Sequence, residues 1–490
     1  MVSNQTSQPE VDTETKKLKK TIGLWGLVAI GLIGAYPIGV AVVSGAGFVV
    51  YGGRAAPLVL LFGALMILFF SAPILEYARI ARFNGGYYGL AELGFGKAAG
   101  KYTAMTNLEY LLWWNIVAPA AVGFIVYTTL YYVFGYTLPG WIFILIMIAM
   151  LGLIYLFTIV NVTVSVNTLK IAALVQVVVV AIFAIYVITK AHYNSWAAFS
   201  IASSPGGLSS LFLGVVVSGF LSYTNYGNPL FFTEEGKSSF RDAWRAMVLI
   251  IVIFTIVGLI GTYSMIATIN PASLSTLTSD WNPAYVSYFP IIGFFAVMVY
   301  IIISLIMQIV ACLTPGMAAA RMFFALSRDG FLKSKWFQKI DEKRGTPVNG
   351  ALANFVIGLI LILAFEIPLF IVYGNSLGAF YSIFLSGSMG VAIWFFHHII
   401  PDLAFPVYLN KAKKRLFSSR YFITAILAPA GAVILFVTSL YYGYSNLVEP
   451  YLLGFILAMG LIVFNAIYVA YKWKKGTLGK SYISEVIGKE

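Results

Sequence analysis

Between its charged clusters this chain runs apolar for stretches of about 20 residues or more, the length an α-helix needs to cross the hydrocarbon core of a bilayer. No other feature narrows the possible folds so far. In lipid every backbone polar group must be bonded within its own structure, so repeated runs of this length dictate helices. Sixty per cent of the residues are hydrophobic and 10% are charged, with a mean hydropathy of +0.89. Soluble domains carry about 25% charged residues, and a water-soluble fold would have no surface to offer here. The chain reads as an all-α polytopic membrane protein.

The runs give about 12 transmembrane helices, near 22–50, 55–80, 104–134, 141–163, 170–190, 208–232, 244–269, 286–320, 348–372, 376–397, 421–443 and 451–471. With the N-terminus inside, only Arg54 and Lys190 of the 31 Lys and Arg residues fall on the outer side, as the excess of basic residues in inner loops requires. Shifting the count by one span would spoil this pattern. The net charge of +13 is therefore topology and contact with anionic lipid. Basic residues spread over every inner loop exclude a nucleic-acid face. Residues 1–20, ending in KKLKK, and residues 472–490 read as cytoplasmic tails of a multi-pass plasma-membrane protein. The first apolar run is too long for a signal-peptide core and no small-residue cleavage site follows it, so no processing is expected. Cys312 is the single cysteine, which excludes an internal disulfide.

Two spans are interrupted. The first carries GLIGAYPIG at 31–39, with Gly31, Gly34, Gly39 and Pro37 at bilayer depth. The sixth carries VVVSGFLSYTNYGNPLFFTEE at 215–235, where Ser222 to Pro229 holds a glycine, a proline, two Asn and two Tyr. Proline removes a backbone donor and clashes with the preceding turn. It also biases Tyr36 and Asn228, the residues before Pro37 and Pro229, away from helical dihedrals. Irregular backbone at this depth is tolerated only where it lines a cavity or is buried in protein. Glycine and proline in membrane helices often mark simple kinks or packing contacts. Two breaks at corresponding places of two halves, one of them rich in polar residues, point instead to a secondary transporter with its binding site between them.

Other chemistries find little footing. There are three His, of which His397 and His398 adjoin at an inner span end, and no His, Asp and Glu set has metal-ligand spacing. No phosphate-binding loop is present, which argues against a primary pump as well as an enzyme. No span-free stretch is long enough for a soluble output domain of the kind a nutrient sensor uses.

Four stretches together resemble the amino acid–polyamine–organocation superfamily of permeases, across nearly the whole chain. The most specific is AAARMFFALSRDGFLKSKWFQKIDEKRGTPVNG at 318–350, similar to the family's loop between spans 8 and 9. The others are ARFNGGYYGLAELGFGK at 81–97, the pair Glu234 and Glu235 followed by Lys237 and Arg241, and LKIAALVQ from Leu169. The resemblance implies the fold of the bacterial leucine transporter: a 5+5 inverted repeat with broken helices 1 and 6, plus helices 11 and 12. The first repeat would occupy 21–195, the second 205–400, and spans 11 and 12 residues 401–471. It implies amino acid transport by alternating access, by cation-coupled symport or exchange, with no cofactor beyond a coupling H+ or Na+. A half-helix N-terminus suits a carboxylate, and exposed carbonyls at a half-helix C-terminus suit an ammonium group.

On this reading Gly34, Ala35, Tyr36 and Gly39 of span 1 line the substrate site with Ser222, Tyr223, Thr224, Asn225 and Gly227 of span 6. Tyr223 would cap the substrate, or else serve as a packing tyrosine. The chain reads GAYPIG where the family carries a G-S-G-I-like signature, so the pocket here has its own shape. Neither broken segment offers Asp or Glu between Gly31 and Gly39 or between Ser222 and Pro229, which favours neutral amino acids. A polyamine or another organic amine is the alternative in the same fold, and a non-transporting sensor the alternative outside it. For coupling, the lysine that many proton-coupled relatives carry in span 5 falls near Phe183 and is missing. Thr314 stands about where sodium-coupled relatives place a hydroxyl; alternatively it bonds a freed carbonyl. Glu109 in span 3 is the candidate proton relay, whereas Glu76 in span 2 is better explained by a pair with Arg79. Asn115 would face the cavity or bond a neighbouring helix.

Overall fold

The computed structural model describes residues 20–80, 86–160, 162–219, 221–237, 239–279, 282–411, 419–445 and 451–480. Most of the predicted N-terminal tail, residues 81–85 of the glycine-glycine-aromatic loop and the end of the C-terminal tail lie outside them, as do the side chains of Arg79, Glu234 and Arg241. Among the described residues the regular structure is helical.

The first predicted span divides into α1 (Leu24–Ala35), a 3-10 turn (Pro37–Val40) and α2 (Gly45–Gly52). Then come α3 (Ala56–Ile80), α4 (Tyr87–Phe95), α5 (Lys97–Phe134), α6 (Gly140–Ile159) and α7 (Val162–Lys190). The sixth predicted span divides as well, into α8 (Gly207–Gly214), a π-helical turn (Val215–Gly219) and a 3-10 segment (Leu221–Glu235). The rest is α9 (Ser239–Thr268), a short α10 (Thr276–Ser279), α11 (Pro283–Ala311), α12 (Leu313–Arg328), α13 (Val348–Lys411), α14 (Ser419–Phe422), α15 (Ala428–Ser445) and α16 (Tyr451–Lys474).

Eight helical stretches among the described residues are long and apolar enough to cross a membrane. Val348–Lys411 alone takes in the predicted spans 348–372 and 376–397, and the chain turns between its halves at Gly374, whose φ of 69° costs glycine little. The predicted span 286–320 extends to Pro283–Arg328, because Cys312 keeps helical dihedrals between α11 and α12.

Two groups of elements make up the body. α1, α3, α9 and the 3-10 segment pack on one another, and α5, α6, α12 and α13 pack on one another. α11 touches both groups, while α15 and α16 pack against α3, α5 and α13. Ile33, Ile38 and Val59 are fully buried in the first group. Apolar side chains also face outward: Ile171 on α7 is 67% exposed and Ile467 on α16 is 64% exposed. Apolar surface of this extent is what a bilayer covers.

Candidate functional site

Pro37 ends α1. Lacking an N–H and crowding the turn before it, it stops the helix at Ala35 and leaves Tyr36 at φ 54°, ψ 61°. A residue before proline ordinarily takes extended dihedrals; Tyr36 takes the left-handed region instead. It is the only described non-glycine residue with a positive φ. Such strain, of order 1–3 kcal/mol, persists only where the surroundings over-determine it. Here they do. The Tyr36 hydroxyl donates to the Ser304 carbonyl at 2.7 Å, and one turn back along α11 the Tyr300 hydroxyl donates to the Ile38 carbonyl at 3.1 Å. The Tyr36 ring folds back over Gly39, where a Cβ would stand 1.9 Å from a ring carbon.

The segment Leu221–Glu235 winds as a 3-10 helix of 15 residues. Runs beyond 3–4 residues are uncommon and often mark a functional hinge. Asn228 and Pro229 lie inside it, so the bias away from helical dihedrals expected at Asn228 is overridden and 3-10 winding continues through the proline. Asn225 Nδ2 donates to the Gly34 carbonyl at 2.8 Å, and Asn228 Nδ2 donates to Asn225 Oδ1 at 3.4 Å. Gly34 permits this approach, since a Cβ there would stand 2.9 Å from Asn228 Nδ2 and 3.1 Å from Asn225 Cβ. The two interruptions are thus bonded to each other, and α1 gains a polar cap on one of its last carbonyls.

The sequence candidates separate at this point. Gly34, Ala35, Tyr36 and Ser222 are half-buried, whereas Gly39, Thr224, Asn225 and Gly227 are buried. Gly34, Tyr36 and Asn225 form one connected cluster with Gly39. The Thr224 carbonyl accepts from Trp394 Nε1 at 3.1 Å, which ties the 3-10 segment to α13. Gly227 lies against Tyr87, whose hydroxyl oxygen would be 1.6 Å from a Cβ. Ser222 donates to the Ser218 carbonyl at 3.1 Å. Tyr223 points into the packing of α3 and α9: its ring meets Phe254 edge-on at 4.9 Å, and its hydroxyl lies 3.2 Å from the Leu60 carbonyl and 2.9 Å from Thr255 Oγ1.

One end of the assembly is clamped. The Thr21 and Ile22 amides each donate to the Glu235 carbonyl at 2.9 Å, and the Lys237 amide donates to the Ile22 carbonyl at 2.8 Å. Beneath them Arg321 holds the Glu235 carboxylate by Nε and, at 3.1 Å, by Nη2. Arg321 Nη1 donates to the Met317 carbonyl at 2.8 Å, and the guanidinium lies 4.4 Å from the Phe232 ring centroid. The side chains are 5% and 1% exposed, so this is a desolvated, two-pronged pair. Close by in sequence, Lys101 and Asp329 form a second buried pair at 2.6 Å, with the Tyr88 hydroxyl 3.2 Å from the same Asp329 oxygen.

A family profile described as amino acid permease matches residues 22–471. The chain belongs to the amino acid permease family. The permease is also 29% identical over 242 residues to a Candida albicans protein named "Putative polyamine transporter", an alignment covering 46% of this chain and 39% of that protein. The chain therefore matches less than half the length of this relative. Family membership and the eight apolar helical stretches among the described residues fit a multi-pass membrane protein.

The coupling candidates are held by bonds to residues outside the two interruptions. The permease's Glu109 accepts from Asn465 on α16 at 2.6 Å, a partner that no local spacing in span 3 announced. Thr314 donates to the Ala311 carbonyl at 3.3 Å within its own helix region. Asn115 and Asn354 exchange side-chain bonds at 2.8 and 3.2 Å, joining α5 to α13. Asn228 was not among the site residues expected from the sequence, nor were Ser304 and Trp394, which reach Tyr36 and Thr224 from far along the chain. Only Asn228 carried a signal, as a polar residue beside Pro229 in an apolar run.

Proposed function

We propose that the permease is a secondary active transporter that carries amino acids, preferentially neutral ones, across the plasma membrane by alternating access. The observation that carries this reading is the Asn225–Gly34 bond, which unites the two breaks into one site. The site would consist of Gly34, Ala35, Tyr36 and Gly39 with Ser222, Thr224, Asn225 and Gly227. Tyr223 would support it from behind.

The architecture proposed is of about twelve spans with both termini cytoplasmic: repeats over 21–195 and 205–400, and spans 11 and 12 in 401–471. The mutual packing of α1, α3, α9 and the 3-10 segment supports a bundle that rocks against α5, α6, α12 and α13. In that orientation the clamp at Glu235 closes the cytoplasmic end. A cation, H+ or Na+, would drive symport or exchange.

A second reading, transport of a polyamine or other organic amine, is favoured by the name of the Candida albicans relative. Proteoliposomes offered labelled neutral amino acids and spermidine in parallel separate the two. Saturable amino acid exchange without spermidine exchange supports the first reading, and the reverse result replaces it with the second.

A further inference from the structure

Away from Gly34 and Asn225, the face of the 3-10 segment opposite α13 closes over a buried group of titratable side chains. Asp402 on α13 is 0% exposed, and neither of its carboxyl oxygens has a hydrogen-bond partner among the described residues. One helical turn earlier stands His398, also 0% exposed, on the same face because i and i+4 align. Its Nε2 lies 2.9 Å from the Tyr226 hydroxyl, and its ring stacks on Trp394 at 4.3 Å and on Phe70 at 4.8 Å.

Tyr87 on α4 closes the same enclosure, its ring centroid 5.1 Å from that of His398. The other titratable groups facing this region are His397 and Tyr408 on α13, Tyr110 on α5, and Glu76 and Tyr77 on α3, Tyr77 donating to the Ala404 carbonyl at 3.2 Å. On α4, Glu92 is buried. Described cations on these elements are engaged elsewhere or exposed: Lys101 pairs with Asp329, Lys411 donates to the Gly94 carbonyl at 2.5 Å, and Lys97 faces outward.

An ionised carboxylate removed from water without a counter-charge costs several kcal/mol, whereas the neutral acid costs far less. The surroundings offer phenols, imidazoles and ring faces in contact, not the shell of oxygen ligands that a hard metal cation takes. A proton is the cation this place suits.

We infer that Asp402, with Tyr226 and His398 as its relay, is the proton-binding site that couples the permease to a proton gradient. This rests on the transport reading above. Tyr226 and Gly227 belong to the same 3-10 segment as Thr224 and Asn225, so the substrate site and the Asp402 enclosure share a wall. When that segment leaves α13 and α4, water reaches Asp402 and its proton passes to the cytoplasmic side. The substrate-free permease returns outward with Asp402 ionised and hydrated; Asp402 then takes its next proton from the outer side, and the enclosure closes over the neutral acid. One proton thus enters with each inward passage, bound to Asp402 and not transferred to the substrate.

The test uses wild type and Asp402→Asn in proteoliposomes, with labelled L-alanine, L-leucine and spermidine as probes. Asparagine mimics the protonated acid, so counterflow without a gradient survives in Asp402→Asn. Accumulation driven by an imposed pH gradient falls about tenfold or more, equivalent to 1.4 kcal/mol of lost driving force, and substrate-induced proton entry disappears. Infrared spectra show a carboxylic-acid C=O band in wild type that Asp402→Asn removes. Tyr226→Phe keeps the band and shifts the pH profile of uptake; an unshifted profile removes Tyr226 and His398 from the relay. Undiminished gradient-driven accumulation in Asp402→Asn, or an unchanged band, overturns the assignment. If wild type exchanges none of the probes, it is the transport reading that fails, and the infrared band still decides where the proton resides.

Discussion

Removing Arg321 should unlock one end of the permease. Its guanidinium holds the Glu235 carboxylate in a pair whose side chains are 5% and 1% exposed. Replacing Arg321 with Met keeps much of the volume but leaves Glu235 buried without its counter-charge. Breaking a desolvated pair in this way costs about 3–5 kcal/mol. Opening the clamp hydrates Glu235, so the penalty falls on the closed form alone. At 1.4 kcal/mol per decade, the lower figure moves the closed–open equilibrium roughly a hundredfold toward open. The readout is a cysteine at Thr233, which is 2% exposed beneath the clamp. Cys312→Ala first clears the background, since Cys312 is the chain's single cysteine. An impermeant maleimide applied to inside-out vesicles should label Thr233→Cys slowly alone and much faster with Arg321→Met. Adding Glu235→Gln removes the stranded charge and should slow labelling again. Equal labelling rates with and without Arg321→Met, in protein that remains monodisperse, would refute the idea that this pair holds the end closed.

Asn225→Ala leaves the half-buried Gly34 carbonyl without its donor, a loss of about 1 kcal/mol; substrate affinity should fall while expression holds, and unchanged binding would displace the site from span 6. Gly34→Ala places a Cβ 2.9 Å from Asn228 Nδ2, so transport should be lost in correctly inserted protein, as measured by uptake normalised to surface-accessible permease. Tyr223→Phe removes bonds to Leu60 and Thr255 and should lower thermal stability by about 1 kcal/mol without changing substrate KM, whereas a raised KM would return Tyr223 to the pocket wall. Tyr36→Phe loses the 2.7 Å bond to the Ser304 carbonyl and should weaken substrate binding several-fold, about 1 kcal/mol, in equilibrium binding to purified protein.

The helical membrane character and the two interruptions were legible because each rests on local chemistry: apolar runs set length, Pro37 marks where α1 stops, and the polar run 222–229 lies within the 3-10 segment. What joins the interruptions was not legible. Asn225 reaches Gly34 across 191 positions, and Tyr226 reaches His398 across 172. No periodicity encodes such distances. Tyr36 shows the limit of a local rule, since the extended bias before proline gave way to a left-handed conformation stabilised by α11. Tyr223, which the sequence offered as either a substrate cap or a packing tyrosine, meets Thr255 and Phe254 on α9. Arg328, Asp329 and Gly330 were visible within the 318–350 stretch, yet Lys101, the buried partner of Asp329, comes from the start of α5. Gly330, at φ 75°, explains the glycine by ending α12 in a turn closed by Phe331 N–H on the Leu326 carbonyl at 3.0 Å.

The central claim is that the bonded breaks form a substrate site for alternating access. Counterflow in proteoliposomes tests it most directly, with a panel of labelled amino acids and amines on the outside and the same unlabelled compound inside. The account predicts saturable exchange of at least one neutral amino acid that Asn225→Ala weakens and Tyr223→Phe leaves intact. No exchange of any amino acid or amine by well-folded, reconstituted permease would contradict it.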